Sequence, residues 1–120
     1  MPATPQLDRG PQPFWIPSTN VFVSDSGCLI VQVELSSLRS ENLEITVEGF
    51  TLRITGERLN SEFAAAKTIL VHEMHAGPFE SVLEIPPQFA PARATASYFN
   101  GVLSITVPTQ DSSSPTQTDR

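Results

Sequence analysis

The sequence predicts an all-β protein, built as a β-sandwich. Several short stretches alternate apolar and polar residues, as strands with one buried face do. Turn residues separate these stretches at close spacing, which is typical of sandwiches. Asn100-Gly101 joins two of the stretches and favours a type I′ hairpin turn, because both residues can take positive φ. The length of 120 residues fits one domain.

The alternating stretches follow one another from Asn20 to Pro108. They read CLIVQVEL, LEITVEG, TLRITG, FESVLEIPP, ATASYF and VLSITV, and the last two form the predicted hairpin. Ser81 is an unexpected polar residue on an otherwise apolar face. The side chains expected to point inward are Leu29, Val31, Val33, Leu35, Leu43, Ile45, Val47, Leu52, Ile54, Phe79, Leu83 and Ile85.

The two ends of the chain differ in composition from this middle part. Five of the eleven prolines fall within the first 17 residues, so we expect residues 1–16 to be an extended, disordered arm. Residues 17–108 form the predicted domain, and the Ser/Thr-rich residues 109–120 a disordered tail. The arm ends in Phe14, Trp15 and Ile16, which either pack on their own domain or form an apolar patch for a partner.

The segment from Arg58 to Met74 is long for a connection between two strands. Its first half, EFAAAK, favours a short helix, whereas TILVHE is rich in β-branched residues and favours a strand. Connections of this length inside a compact domain are usually functional or disordered. The sequence therefore marks this segment as a candidate site.

Composition limits the function classes. The net charge of −6 argues against a nucleic-acid partner, whose binding needs clustered Lys and Arg. We expect no membrane span, since no stretch approaches about 20 apolar residues. The first residues do not read as a secretory signal. The single cysteine, Cys28, agrees with a reducing compartment and a cytoplasmic location.

Residues with catalytic or metal-binding potential are sparse. His72 and His75 lie three positions apart in HEMH, whereas the zinc-protease motif needs a spacing of four. Cys28 has no basic neighbour in sequence that would activate its thiol. No serine lies in a Gly-x-Ser-x-Gly motif, and no glycine-rich phosphate loop is present. We therefore predict a protein that is not an enzyme and has no metal site and no cofactor.

Four motifs in register resemble those of one family, the small heat-shock proteins with their α-crystallin domain. ASYFNGVL resembles the family's A-x-x-x-N-G-V-L, and LRITGER its L-x-I-x-G-x-R. HEMHAGPFESVLEIP and VELSSLRSENLEITVEG resemble two further family motifs, with Met74, Ser81 and Ser36-Ser37 as departures. The signature positions correspond to Gly56, Arg58, Gly77, Phe79, Ala96, Asn100, Gly101, Val102 and Leu103.

This resemblance implies an immunoglobulin-like β-sandwich and an ATP-independent chaperone. Such a holdase binds partly unfolded client proteins and prevents their aggregation. The client-binding candidates are the arm and a groove between two strands, and they comprise Phe14, Trp15, Ile16, Leu43, Ile45 and Val47. The residues after Pro108 contain no I-x-I/V motif, the segment that occupies this groove in the family.

The resemblance also implies a homodimer of the bacterial and plant type, in which the long loop donates a strand to the partner's first strand. The donor would comprise Ile69, Leu70, Val71 and His72, and the receiver Asn20, Val21, Phe22 and Val23. Strand addition supplies backbone hydrogen bonds and covers an open edge. We expect a dissociable dimer, and the sequence leaves larger assemblies open.

Two other functions remain compatible with the sequence. The same sandwich serves in interaction modules of the CS-domain type, which dock a folded partner rather than a non-native client. The chain could also be a regulatory subunit that co-assembles with a longer paralogue, since its arm is short and its tail has no I-x-I/V motif.

Overall fold

The computed structural model describes residues 14–111, which form two antiparallel sheets. The all-β sandwich predicted from the alternating stretches is confirmed. The strands are β1 (Thr19–Val23), β2 (Leu29–Glu34), β3 (Leu43–Glu48), β4 (Thr51–Arg58), β5 (Gly77–Glu84), β6 (Thr95–Phe99) and β7 (Val102–Val107).

One sheet has four strands in the order β1-β2-β7-β6, and the other has three in the order β3-β4-β5. Each sheet therefore has two outer strands: β1 and β6 in the first, β3 and β5 in the second. Trp15 forms a parallel bridge with Phe79 of β5, and β1 begins only four residues later. The outer strands β5 and β1 thus lie on one side of the sandwich, which leaves β3 and β6 on the other side.

The core lies between the two sheets and is built from their inward faces. Val31, Val33, Leu52, Ile54 and Phe79 are fully buried. Ser81 is also buried and is the only polar residue of the described part of the chain that belongs to this buried set. Leu43, Ile45 and Leu83 pack against the core while remaining partly exposed. Most of the predicted inward positions are therefore correct.

Val47 differs from the sequence prediction, because 38% of its surface is exposed. β3 is an outer strand, so Val47 has a neighbouring strand on one side only, whereas its partner Leu52 in the central strand β4 is fully buried. Alternation places Val47 on the inward face, but burial also depends on the position of the strand in its sheet.

The predicted Asn100-Gly101 hairpin is confirmed. Both residues have positive φ, 52° and 80°, and Phe99 pairs directly with Val102. The turn also contacts the chain that leaves β2, since the Leu35 amide donates to the Gly101 carbonyl oxygen at 2.7 Å. A Cβ on Gly101 would lie 3.1 Å from Ser36, so this contact and the backbone conformation both favour glycine.

Short helices occupy the connections. The predicted helix in EFAAAK is a single turn, α1 (Ser61–Ala64), capped by the Asn60 side chain, which accepts from the Phe63 amide. The 3₁₀ turns are Ser40–Asn42 and Pro91–Arg93. No helix within residues 14–111 is both long and apolar enough to cross a membrane.

The first residues of the predicted tail are held against the domain. The Thr109 and Gln110 carbonyl oxygens accept from Arg93, and the Gln110 side chain donates to the Phe89 carbonyl oxygen at 2.8 Å. These contacts lie just after residue 108, the predicted end of the domain. The remaining tail, 112–120, and residues 1–13 of the arm lie outside the described residues.

Candidate interaction surfaces

Strand β1, the predicted receiver, forms one edge of the four-stranded sheet. It pairs with β2 on one side, and no strand of the described chain lies on its other side. Val21, Phe22 and Val23 expose 50%, 44% and 58% of their surface, and Asn20 is also exposed. An apolar edge with free backbone groups can accept an added strand.

The long connection between β4 and β5, residues 59–76, contains no strand. The predicted donor residues lie there in irregular conformation, with Ile69, Leu70 and Val71 exposed by 51%, 89% and 71%. The segment thus forms no strand within a single chain. His72 packs its ring against Phe63 of α1, with 4.6 Å between ring centroids.

This connection encloses a cavity of about 480 Å³ on the side of α1. Its apolar lining includes Leu59, Phe63, Val71 and Met74, and Arg58 lies at its rim. Methionine adapts its shape readily to different contacts. The cavity therefore adds apolar surface next to the exposed donor residues.

The arm is divided between contact with the domain and exposure. Trp15 is half-buried, with its amide donating to the Pro78 carbonyl oxygen and its own carbonyl oxygen accepting from the Glu80 amide, both at 3.2 Å. Phe14 and Ile16 expose 43% and 77% of their surface. Of the two interpretations left open by the sequence, packing on the domain holds for Trp15, while its two neighbours remain accessible.

Strands β3 and β6, which would border the predicted groove, are outer strands of different sheets. Leu43 and Ile45 of β3 and Tyr98 of β6 are all partly buried against the core. Leu43 also lines a surface pocket together with Phe14 of the arm. The Tyr98 hydroxyl donates to the Leu35 carbonyl oxygen and accepts from the Leu38 amide, which fixes the orientation of the ring.

The signature glycine of L-x-I-x-G-x-R is explained by packing. A Cβ on Gly56 would lie 2.4 Å from the Asn42 carbonyl oxygen and 2.6 Å from the Phe79 ring. Gly77 is required for another reason, a φ of 89°. In the other signature motif, Leu103 is buried and Val102 half-buried, while Ala96 lies exposed on β6. Gly56, Gly77 and Leu103 therefore have structural roles in the fold.

Arg58, the last signature residue of that motif, binds backbone rather than a carboxylate. Its Nε and Nη2 donate to the His75 carbonyl oxygen at 3.0 and 2.7 Å, and Nη1 donates to the Ser36 carbonyl oxygen at 3.3 Å. The guanidinium carbon also lies 4.5 Å from the centre of the Trp15 ring. Sequence reasoning identified this arginine only by resemblance; a lone arginine at a strand end gives no sign of such contacts.

Solved structures share this fold. A small heat-shock protein from Xylella fastidiosa superposes with a TM-score of 0.72 at 23% identity, covering 84% of this chain and 92% of that one. HspA from Xanthomonas axonopodis gives 0.73 at 21% identity, covering 82% and 98%. Heat shock protein 16.0 from Schizosaccharomyces pombe gives 0.70 at 24% identity, covering 87% and 96%.

Sequence relatives agree with the structural ones. Small heat shock protein C2 of Rickettsia felis is 26% identical over 96 residues, which are 80% of this chain and 62% of that protein. A 17.4 kDa class I heat shock protein of Oryza sativa subsp. japonica is 32% identical over 89 residues, which are 72% of this chain and 56% of that protein. The chain thus spans little more than half of these relatives. The profile of the Hsp20/alpha crystallin family matches residues 23–120, and the chain therefore belongs to this family.

Proposed function

We propose that this chain is an ATP-independent holdase that binds partly unfolded proteins and keeps them from aggregating. The observation that carries the proposal is the exposure of many large apolar side chains. Those on the arm, on β1 and in the 59–76 connection comprise Phe14, Ile16, Val21, Phe22, Val23, Ile69, Leu70, Val71 and Met74. Large exposed apolar surfaces mark interaction sites in soluble proteins.

The physical match is to non-native chains. A partly unfolded protein exposes apolar segments and unpaired strand edges. This chain offers both counterparts, an apolar surface and the open edge of β1, on a body with a net charge of −6. Like-charge repulsion keeps such bodies apart in solution. Binding through these surfaces consumes no nucleotide.

An aggregation assay tests the proposal. A heat-labile client is warmed with increasing amounts of the chain, and light scattering is followed. We expect suppression at a near-stoichiometric ratio and the same result without ATP. Unchanged scattering, together with tight binding to one folded partner, would instead support a docking module of the CS-domain type.

We further propose that two copies dimerise by strand donation from Ile69–His72 to β1 of the partner. Successive residues of a strand point to opposite faces, so Ile69 and Val71 would be buried together while Leu70 faces away. All three are at least half-exposed in the single chain, which leaves them available for such pairing. The open β1 edge of each copy would then be covered.

Sedimentation velocity with matched variants tests this dimer. The double substitution of Ile69 and Val71 by serine should lower self-association strongly, because both buried side chains lose their apolar contact. Leu70→Ser is the control and should have little effect. If wild type and both variants all sediment as monomers at high concentration, strand donation is wrong.

A second experiment mixes the chain with a longer paralogue. A change in the mass of the paralogue's assembly on mixing would support the regulatory-subunit role.

The groove between β3 and β6 is a second client or partner site in this proposal. Peptides carrying I-x-I should bind there, since Leu43 and Ile45 offer adjacent half-buried apolar contacts. In an NMR titration we expect shifts in β3 residues 43–47. No shift there would limit client binding to the arm side.

The cytoplasm is the compartment that we propose. The free Cys28, which lies half-exposed beside the β1–β2 turn, fits a reducing environment. Cell fractionation with a compartment marker tests this assignment, and recovery in an oxidising compartment would contradict it.

A further inference from the structure

Trp15 makes a set of ring contacts that the proposed function does not use. Its indole stacks on the His75 imidazole, with 5.2 Å between centroids and 11° between the planes. Arg58 lies over the ring, Nε1 donates to the Gly77 carbonyl oxygen at 3.1 Å, and the Phe79 ring packs at 5.4 Å. We call Trp15, Arg58 and His75 the Trp15 clamp.

The clamp joins two parts of the molecule that are distant in sequence. Trp15 belongs to the arm, whereas His75 lies at the end of the 59–76 connection. Arg58 immediately precedes the same connection. Its side chain binds the end of the connection through two hydrogen bonds to the His75 carbonyl oxygen. The Arg58 side chain therefore contacts both the arm, at Trp15, and the end of the connection, at His75.

The backbone of the arm pairs with β5 through one described residue, Trp15. Pro17 has no N–H, so the ladder cannot continue in the C-terminal direction. Pro17 itself is buried, and Phe14 lines a surface pocket with Leu43 and Pro78. The clamp contacts act beside these contacts in attaching the described part of the arm.

We propose that Trp15 and Arg58 are positioning residues for the 59–76 connection, and that arm and connection loosen together. The proposal deepens the holdase function and rests on it for its biological meaning: a client that captures Phe14–Ile16 would free the segment that carries the predicted donor strand. Coupling of this kind is reciprocal, so loosening the connection must release the arm by the same factor.

The chain contains a separate reporter for each part. The Glu80 amide donates to the Trp15 carbonyl oxygen at 3.2 Å, so its hydrogen exchange reports undocking of the arm. Lys67 is the only lysine of the sequence and lies exposed in the connection. A lysine-specific protease therefore reports opening of the connection, and neither measurement needs a client.

The first experiment substitutes Trp15 in the arm and measures protease cleavage in the connection. Trp15→Ala should raise the rate of cleavage after Lys67 about two- to fivefold, the effect of one exposed cation–π or stacking contact. Trp15→Phe retains an aromatic face and should restore most of the protection. Ile16→Ala is the matched control, because Ile16 is 77% exposed and lies outside the clamp; its cleavage rate should equal that of wild type.

The second experiment substitutes His75 or Arg58 and measures undocking of the arm by hydrogen exchange of the Glu80 amide. His75→Ala leaves the backbone carbonyl that Arg58 binds but removes the stacked ring, and it should speed Glu80 exchange by a similar factor. Arg58→Met should do the same, while Arg58→Lys should lie between Arg58→Met and wild type, because lysine keeps the charge but not the forked hydrogen bonds.

Two results would contradict the coupling between arm and connection. If Trp15→Ala speeds Glu80 exchange but leaves Lys67 cleavage unchanged, the arm and the connection are independent and the proposal is wrong. Unchanged Glu80 exchange in His75→Ala also overturns it, and this variant decides the matter if Trp15→Ala does not fold. Loss of client protection alone would count against the holdase function and leave the coupling intact.

Discussion

Strand β7 and the segment around Ile69 have similar residue types but different structures. VLSITV and TILVHE are both short and rich in β-branched residues. Leu103, Ile105 and Val107 of β7 expose at most 1% of their surface, whereas Leu70 exposes 89%. β7 lies between β2 and β6, while the described chain offers the other segment no neighbouring strand. Residue type permits a strand, and neighbours decide whether it forms.

The comparison has a practical meaning for stability and function. Apolar side chains in β7 stabilise the fold, so their removal should be felt in unfolding. Apolar side chains in the connection contribute little to the single chain and should matter for association instead. The variants below separate these two roles, beginning with the largest expected effect.

Ile105→Ala should lower the free energy of unfolding by about 2–5 kcal/mol, the range for truncating a fully buried aliphatic side chain. Urea denaturation measures the change. Leu70→Ala is the matched control from the exposed segment and should stay within about 0.5 kcal/mol of wild type. Equal losses for both variants would mean that the segment is packed in solution, contrary to the structure.

Gly56→Ala tests how tightly the core closes where β4 approaches the connection. The added methyl group would meet the Asn42 carbonyl oxygen and the Phe79 ring, so we expect a loss of about 1–3 kcal/mol in the free energy of unfolding. Gly49→Asn is the control, since its Cβ has open space and asparagine tolerates the positive φ of 62°. A neutral Gly56→Ala would show that this corner can relax.

Tyr98→Phe removes the hydroxyl that bonds the Leu35 carbonyl oxygen, and should cost about 1 kcal/mol in thermal or urea unfolding. Phe99→Leu at the neighbouring position, where the ring is 74% exposed, should be nearly neutral. If the two variants behave alike, the hydroxyl does not hold the ring in place.

Glu80→Gln breaks the ion pair with Arg53 on the outer face of the three-stranded sheet. Both side chains are substantially exposed, so we expect a loss of at most about 1 kcal/mol that shrinks at high salt. Glu48→Gln on the same face serves as the control. A loss well above that of the control that persists in high salt would indicate a contribution beyond simple charge pairing.

Much of the fold could be predicted, because strands in a two-layer sandwich carry a local signal. Buried faces repeat every second residue, and the Asn100-Gly101 turn has its own chemistry. The short β1 gave a weaker signal and was predicted only through the family resemblance. Val47 differs from the expectation for a non-local reason, because its strand lies at the edge of its sheet.

The candidate site was predictable only in part. An apolar cluster at Phe14–Ile16 was visible, but sequence could not show that Trp15 docks while its neighbours stay exposed. The contacts of Arg58 with His75 and Ser36 join positions 17 and 22 residues away. Such contacts depend on the assembled sandwich, and no local pattern encodes them.

The single paired residue of the arm has a consequence for shortening the protein. Since Pro17 has no N–H, the ladder between the arm and β5 ends at Trp15 in the C-terminal direction. A variant trimmed to begin at Phe14 and end at Asp111 would retain the ring contacts of Trp15 and the bonds from Arg93 to Thr109 and Gln110. Restoring one end at a time to this minimal domain would then measure the contribution of each end to the free energy of unfolding.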